Sequence, residues 1–113
     1  MARDFAPMVY LMASRRNGTL YVGVTSNLLK RVAQHRQGTF GGFTEAYAVK
    51  MLVWFEPHVE MASAILREKR IKKWRRTLKL ELIETANPDW RDLATDYGFE
   101  PLHLDSRVRG NDS

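Results

Sequence analysis

Glu68 is the residue whose position most needs a reason. It follows Ala64 by four and Ile65 by three, and precedes Ile71 by three; on a helix those spacings put the side chains on one face. A carboxylate is thereby set against the body of the protein, inside a strongly basic segment. Burying it without a partner costs on the order of several kcal/mol. Either an arginine from another element pairs with it, or it serves as a ligand to a divalent metal or as a general acid or base. Arg31 and His35 are four apart and can sit side by side on one helix face. An arginine there could clamp a phosphate, and a histidine could donate to one or move a proton. The plain alternative is a solvated helix face. Tyr10 and Tyr21 flank an Asn17-Gly18 turn signal and can meet across two strands, as a core pair or as phenols held near a phosphate. Gly23, two residues beyond Tyr21, leaves room on a strand for a close approach.

The elements that must position these groups can be read from periodicity. Residues 8–13 (MVYLMA) and 20–24 (LYVGV) read as strands, and Asn-Gly between them is a strong hairpin signal because both residues tolerate positive φ. Thr25-Ser26-Asn27 offers caps for a helix carrying Leu28, Leu29, Val32 and Ala33, and Gly38 supplies its stop. The glycine-rich stretch 38–42 reads as a flexible loop. Residues 48–55 (AVKMLVWF) form a third strand that Pro57 ends. Met61, Ala64, Ile65, Ile71 and Trp74 predict the longest helix over 60–75, and a short helical segment follows at 78–84. Asn87-Pro88-Asp89-Trp90 has the composition of a further helix start. The order β-β-α-β-α-α implies an α+β fold, a three-stranded antiparallel sheet flanked by helices, and such a sheet is satisfied by helices on one face. Residues 1–102 are expected to form one domain and 103–113 a loose polar tail.

Composition narrows the partners. The chain has 113 residues and no cysteine, which excludes disulfides, thiolate nucleophiles and cysteine-ligated zinc. No run approaches a membrane span, and the N-terminus lacks the apolar region of a secretory signal, so cytoplasmic residence is expected. Residues 1–79 carry 15 basic and 5 acidic side chains, whereas 80–113 carry 3 and 8. From Arg67 to Lys79 eight bases surround the single acid Glu68, a surface attractive to a polyanion.

The ordered set resembles the GIY-YIG nuclease superfamily, in the form of a small stand-alone bacterial-type member. Met8-Val9-Tyr10 stands at the first signature triad, with Met-Val in place of Gly-Ile, and Tyr21-Val22-Gly23 at the second. Arg31 and His35 match the arginine and histidine of the first helix, and Glu68 matches the metal-binding glutamate. Lys72, Trp74 and Arg75 fit the basic stretch after it, and Asn87 the late asparagine of the segment 87–93.

That resemblance implies a GIY-YIG-like fold and metal-dependent hydrolysis of DNA phosphodiester bonds, with little or no sequence specificity. Glu68 would hold one Mg²⁺ or Mn²⁺. Tyr10 would be the general base, Arg31 would neutralise developing charge, and Tyr21 would position water or a phosphate oxygen. His35 would be an auxiliary donor or a relay for Tyr10, and Asn87 would orient Glu68 from behind. Lys30, Arg36, Lys69, Lys72, Lys73, Arg75 and Arg76 are the candidate nucleic-acid contacts. The expected partner is DNA, with branched or nicked forms among the candidates, and neither a membrane nor an obligate protein partner; a monomer is expected. Two other readings use the same basic segment: a non-catalytic nucleic-acid binder on this fold, and a small domain that docks an acidic protein.

Overall fold

The computed structural model describes residues 6–38 and 46–102. Strands β1 (Met8–Ala13), β2 (Leu20–Thr25) and β3 (Met51–Pro57) form one sheet in the order β2-β1-β3, antiparallel throughout. Helix α1 (Leu28–Gln37) lies between β2 and β3 in the chain. Helices α2 (Met61–Lys73) and α3 (Arg76–Ala86) and a 3₁₀ helix (Leu93–Tyr97) follow β3. The expected element order is thus observed. The predicted loop at 38–42 lies, after Gly38, outside the described residues, as does the polar tail. No helix among the described residues is long and apolar enough to cross a membrane.

Helices cover both faces of the sheet, not one. The reason is in β1, where Val9, Tyr10, Leu11, Met12 and Ala13 are all fully buried. A strand apolar on both sides needs a layer against each. Val9, Leu11 and Ala13 pack with Val22, Val53, Ala64, Ile71, Ile83 and Trp90, beneath α2 and α3. Tyr10 and Met12 pack with Leu28, Val32, Leu52 and Ala94, beneath α1 and the 3₁₀ helix.

Local chemistry sets the ends of the elements. Asn17 turns the hairpin with a φ of 59°. Asn27 caps α1 by accepting from the Lys30 amide at 3.2 Å, and Gly38, with a φ of 72°, closes it by donating to Gln34 and His35 carbonyls. The predicted long helix stops at Lys73, because Trp74 and Arg75 are extended. The basic run is therefore divided between two helices. The buried stripe of α2 is Ala64, Glu68 and Ile71; Ile65, expected on it, is exposed.

No helix starts at Asn87. It ends α3, Trp90 takes a φ of 54°, and Asp92 is the residue that caps the 3₁₀ helix, accepting from the Ala94 amide at 3.2 Å.

Candidate active site at the edge of the sheet

Tyr10 lies on the central strand, directly opposite Gly23 on β2. A Cβ at position 23 would stand 2.5 Å from the phenol oxygen. The close approach that Gly23 permits is therefore that of Tyr10 itself, whose ring leans over the bare backbone of the edge strand. Tyr21 is two pairs further along β2, opposite Met12, so the two tyrosines are diagonal neighbours on one face, with ring centroids 6.2 Å apart.

α1 passes over this face and adds His35. Its Nε2 is 3.0 Å from Tyr10 Oη, and its ring packs edge-on against Tyr21 at 5.0 Å. One turn earlier, the Arg31 guanidinium is near enough to act on the Tyr10 phenol. Burial, with Tyr21 adding to it, pushes the phenol well above its ordinary value near 10; Arg31 pulls it back and the Glu68 carboxylate pushes it up. Burial, aided by the Arg31 charge, pushes the His35 imidazolium down to about 4. At neutral pH the pair is a protonated phenol beside a neutral imidazole.

Glu68 comes from the opposite side of the sheet. α2 lies across β1 and β2, and the buried Glu68 is close enough for its charge to act on Tyr10. A charge from one helical layer thus acts on a phenol held beneath the other. The neighbouring base Arg67 is directed away from Glu68: it holds Glu56 through Nε at 3.1 Å and Nη2 at 3.3 Å and lies over the Trp74 ring. Lys72 is the cation on Glu68, with Nζ 2.5 Å from Oε2.

Asn87 bonds to backbone. Its two amide hydrogens go to the Val53 carbonyl at 3.1 Å and the Arg91 carbonyl at 2.9 Å, and its Oδ1 accepts from the Arg91 amide at 3.0 Å. With both donors committed to backbone it has none to offer a carboxylate. It serves the other edge of the sheet, where the pairing of β3 with β1 shifts register between Leu11 and Met12.

Two of the expected nucleic-acid contacts have partners within the chain. Arg36 pairs with Asp92, donates to the Lys50 and Glu100 carbonyls and lies over Phe99. Arg76 donates to the Asn17 and Gly18 carbonyls of the hairpin turn. Both guanidinium groups hold loops, and backbone carbonyls within reach captured them; nothing in the local sequence announces such distant partners. Lys69, Lys73 and Arg75 are exposed. Lys30 lines a recess of about 240 Å³ with Arg31, Thr25, Ser26, Asn27 and Gln34. The sequence reading named Thr25, Ser26 and Asn27 only as helix caps and did not single out Gln34; a polar stretch leading into an arginine-bearing helix is the signal that was available.

No group of three or more His, Cys, Asp or Glu among the described residues could hold a metal. Glu68 is the carboxylate at the cluster. A single carboxylate suits Mg²⁺ or Mn²⁺, which keep waters and take substrate oxygens, and does not suit a protein-caged zinc or calcium ion.

Residues 6–81 match the model of the GIY-YIG catalytic domain, and the chain belongs to that family. The class is that of nuclease-type domains that act on nucleic acid. Within it, the chain is similar to a UPF0213 protein of Syntrophus aciditrophicus, 38% identical over 72 residues that cover 63% of this chain and 82% of that one. It is also similar to a UPF0213 protein of Staphylococcus haemolyticus, 34% identical over 76 residues covering 67% and 92%. A solution NMR structure of a UPF0213 protein from Bacillus halodurans aligns at 20% identity and a TM-score of 0.49, covering 83% of this chain and 98% of that one.

Proposed function

We propose that the protein is a divalent-metal-dependent endonuclease that hydrolyses phosphodiester bonds of DNA with little sequence specificity. The observation that carries this reading is the cluster of Tyr10, Tyr21 and His35 on one face of the sheet, within electrostatic reach of both Arg31 and, from the other face, Glu68.

In this reading Glu68 holds Mg²⁺ or Mn²⁺, which when bound supplies Lewis acidity at the phosphate and charge stabilisation at the leaving 3′ oxygen. The other roles belong to the chain. Arg31 faces the phosphoryl oxygens and stabilises the negative charge that grows on them as water attacks. Tyr10 stands beside the attacking water. A phenol this reluctant to ionise is a poor base by itself; His35, neutral and 3.0 Å away, relieves it. As Tyr10 Oη takes the water proton, its own proton passes to His35 Nε2, so no free phenolate forms. The water oxygen bonds to phosphorus and the bond to the 3′ oxygen breaks. Tyr21 holds a phosphate oxygen or the water.

The strand is drawn in by charge. Lys30 and the recess beside Arg31 take one stretch of backbone, and the exposed Lys69, Lys73 and Arg75 take another. Contacts of this kind position a substrate without reading its sequence.

Cleavage of labelled duplex, nicked, flapped, branched and single-stranded DNA in Mg²⁺ or Mn²⁺, beside Glu68→Ala, tests the proposal. The expected result is ion-dependent cutting of at least one substrate and a loss on the order of 100-fold or more in a folded Glu68→Ala protein, as when a single preorganised charge-stabilising group is removed. Binding without cutting by both proteins would overturn it and leave a nucleic-acid-binding module.

A further inference from the structure

The pair of Lys72 with Glu68 joins two unlike groups. The Glu68 side chain is 9% exposed and fixed by the stripe on which it sits; the Lys72 side chain is 55% exposed and reaches down to it from one turn further along α2. Arg67, which could have met the carboxylate, is tied to Glu56 and Trp74. The balancing charge is thus supplied by a half-exposed cation on a long stem, whose ammonium occupies an oxygen of the one carboxylate placed at the cluster among the described residues. An arginine fork would resist displacement; a lysine ammonium is a point charge on a flexible stem.

We propose that Lys72 is an exchangeable counter-ion: it neutralises Glu68 in the ion-free protein, is expelled when a divalent cation takes that oxygen, and then turns to a phosphate of the nucleic acid. The inference rests on the nuclease reading of the site and adds a coupling to it. An ion and an ammonium cannot share the Glu68 oxygen, because like charges at that separation repel. Once released, the Lys72 ammonium stays near its carboxylate only as far as its stem requires. The nearest new anion is the strand that Arg31 holds. Ion loading therefore adds one cationic contact to the nucleic-acid surface, and substrate and ion favour each other's binding.

Mn²⁺ titration of the protein without nucleic acid, by calorimetry or by electron paramagnetic resonance of the free ion, tests the first half. Lys72→Met is expected to bind Mn²⁺ about threefold or more tightly than the wild type, and Glu68→Gln to lose the site; an exposed lysine on a helix tolerates the change without loss of fold. Salt dependence of DNA binding tests the second half, in a Tyr10→Phe background that prevents cutting. With Mn²⁺, the wild-type slope should exceed that of Lys72→Met by about 0.9, one phosphate contact; without it the slopes should coincide. Equal or weaker Mn²⁺ binding by Lys72→Met, or a slope difference that is the same with and without the ion, overturns the exchange. If ion-dependent cutting persists beside such a result, only the exchange has failed. If no chain binds Mn²⁺ and none cuts, the metal-dependent reading has failed with it.

Discussion

The two edges of the sheet both bury polar side chains, and they do so to opposite effect. At the β3 edge the register shift breaks the regular ladder. Asn87 Nδ2 bonds the Val53 carbonyl, Asp92 Oδ1 accepts from the Leu52 amide at 3.1 Å, and Asp92 is in turn held by Arg36. These side chains stand in for a missing strand, and they close an edge that would otherwise invite pairing with another chain. At the β2 edge, no further strand pairs with β2 among the described residues. There Tyr10, His35, Tyr21 and Arg31 meet one another, and burial resists the ionised form of both Tyr10 and His35. Burial of a polar residue is thus no guide to function. What its atoms bond decides: strand backbone is satisfied at one edge, whereas titratable groups bond and pack against one another at the other.

The contrast is broken most directly at Asn87. Asn87→Ala removes three hydrogen bonds and strands the buried Val53 carbonyl and partly buried backbone groups of Arg91. A loss of about 2–4 kcal/mol in urea unfolding is expected. Under conditions where the variant remains folded, its cleavage rate should stay within a few-fold of the wild type. A folded, fully stable Asn87→Ala protein that no longer cuts would move this residue from the closed edge to the reactive one.

Gly23 sharpens the same contrast from the other side. Gly23→Ala sets a methyl where the Tyr10 ring now lies, 2.5 Å from Oη, and the phenol must move. The separation between Oη and His35 changes with it. A displacement of that size is expected to lower cleavage by about 10- to 100-fold, with a stability loss of about 1–3 kcal/mol. Steady-state cleavage and thermal unfolding read the two effects. Unchanged cleavage would mean that the position of Tyr10 over the edge strand is not what the chemistry needs.

The open edge was legible in the sequence and the closed one was not. Tyr10, Tyr21, Arg31, His35 and Glu68 each sit on a regular element, so spacing predicts which of them can be neighbours, and the family resemblance implied that they form one site. Glu68 is conspicuous because a carboxylate interrupts an apolar stripe, even though Ile65 does not belong to that stripe. The partners of Arg36, Arg76 and Asn87 lie far away in the chain: Arg36 meets Asp92 and Glu100, and Arg76 meets the hairpin turn. No periodicity encodes such contacts. Asn-Pro-Asp has a plausible helix-start chemistry, but tertiary bonds to β3 satisfy the Asn87 side chain better than a cap would. The second helical layer was implied by the unbroken apolar run of β1, which has no polar face to turn towards water.

The effect that separates the edges without a cleavage assay is on the pH dependence of stability. Burial and Arg31 lower the His35 value from the ordinary 6.5 to about 4 in the folded protein. As pH falls through that window the unfolded chain takes up a proton that the folded chain refuses. Stability contributed by the neutral imidazole is complete above about 6.5, declines between 6.5 and 4, and is gone below. The span corresponds to about 3 kcal/mol at most. Carboxylates such as Glu56, held below their ordinary value by Arg67 and His58 against the opposing effect of burial, add losses at the acid end. The comparison with His35→Gln removes them, since both proteins share them. Wild type minus His35→Gln, measured by urea unfolding from pH 7 to pH 4, should fall steadily as the solution is acidified. Wild type minus Asn87→Ala should stay flat over the same range, because an amide bonded to backbone has no proton to exchange. A flat His35 difference would mean that the imidazole takes up its proton as readily in the folded protein as in the unfolded chain, so that burial does not hold it neutral.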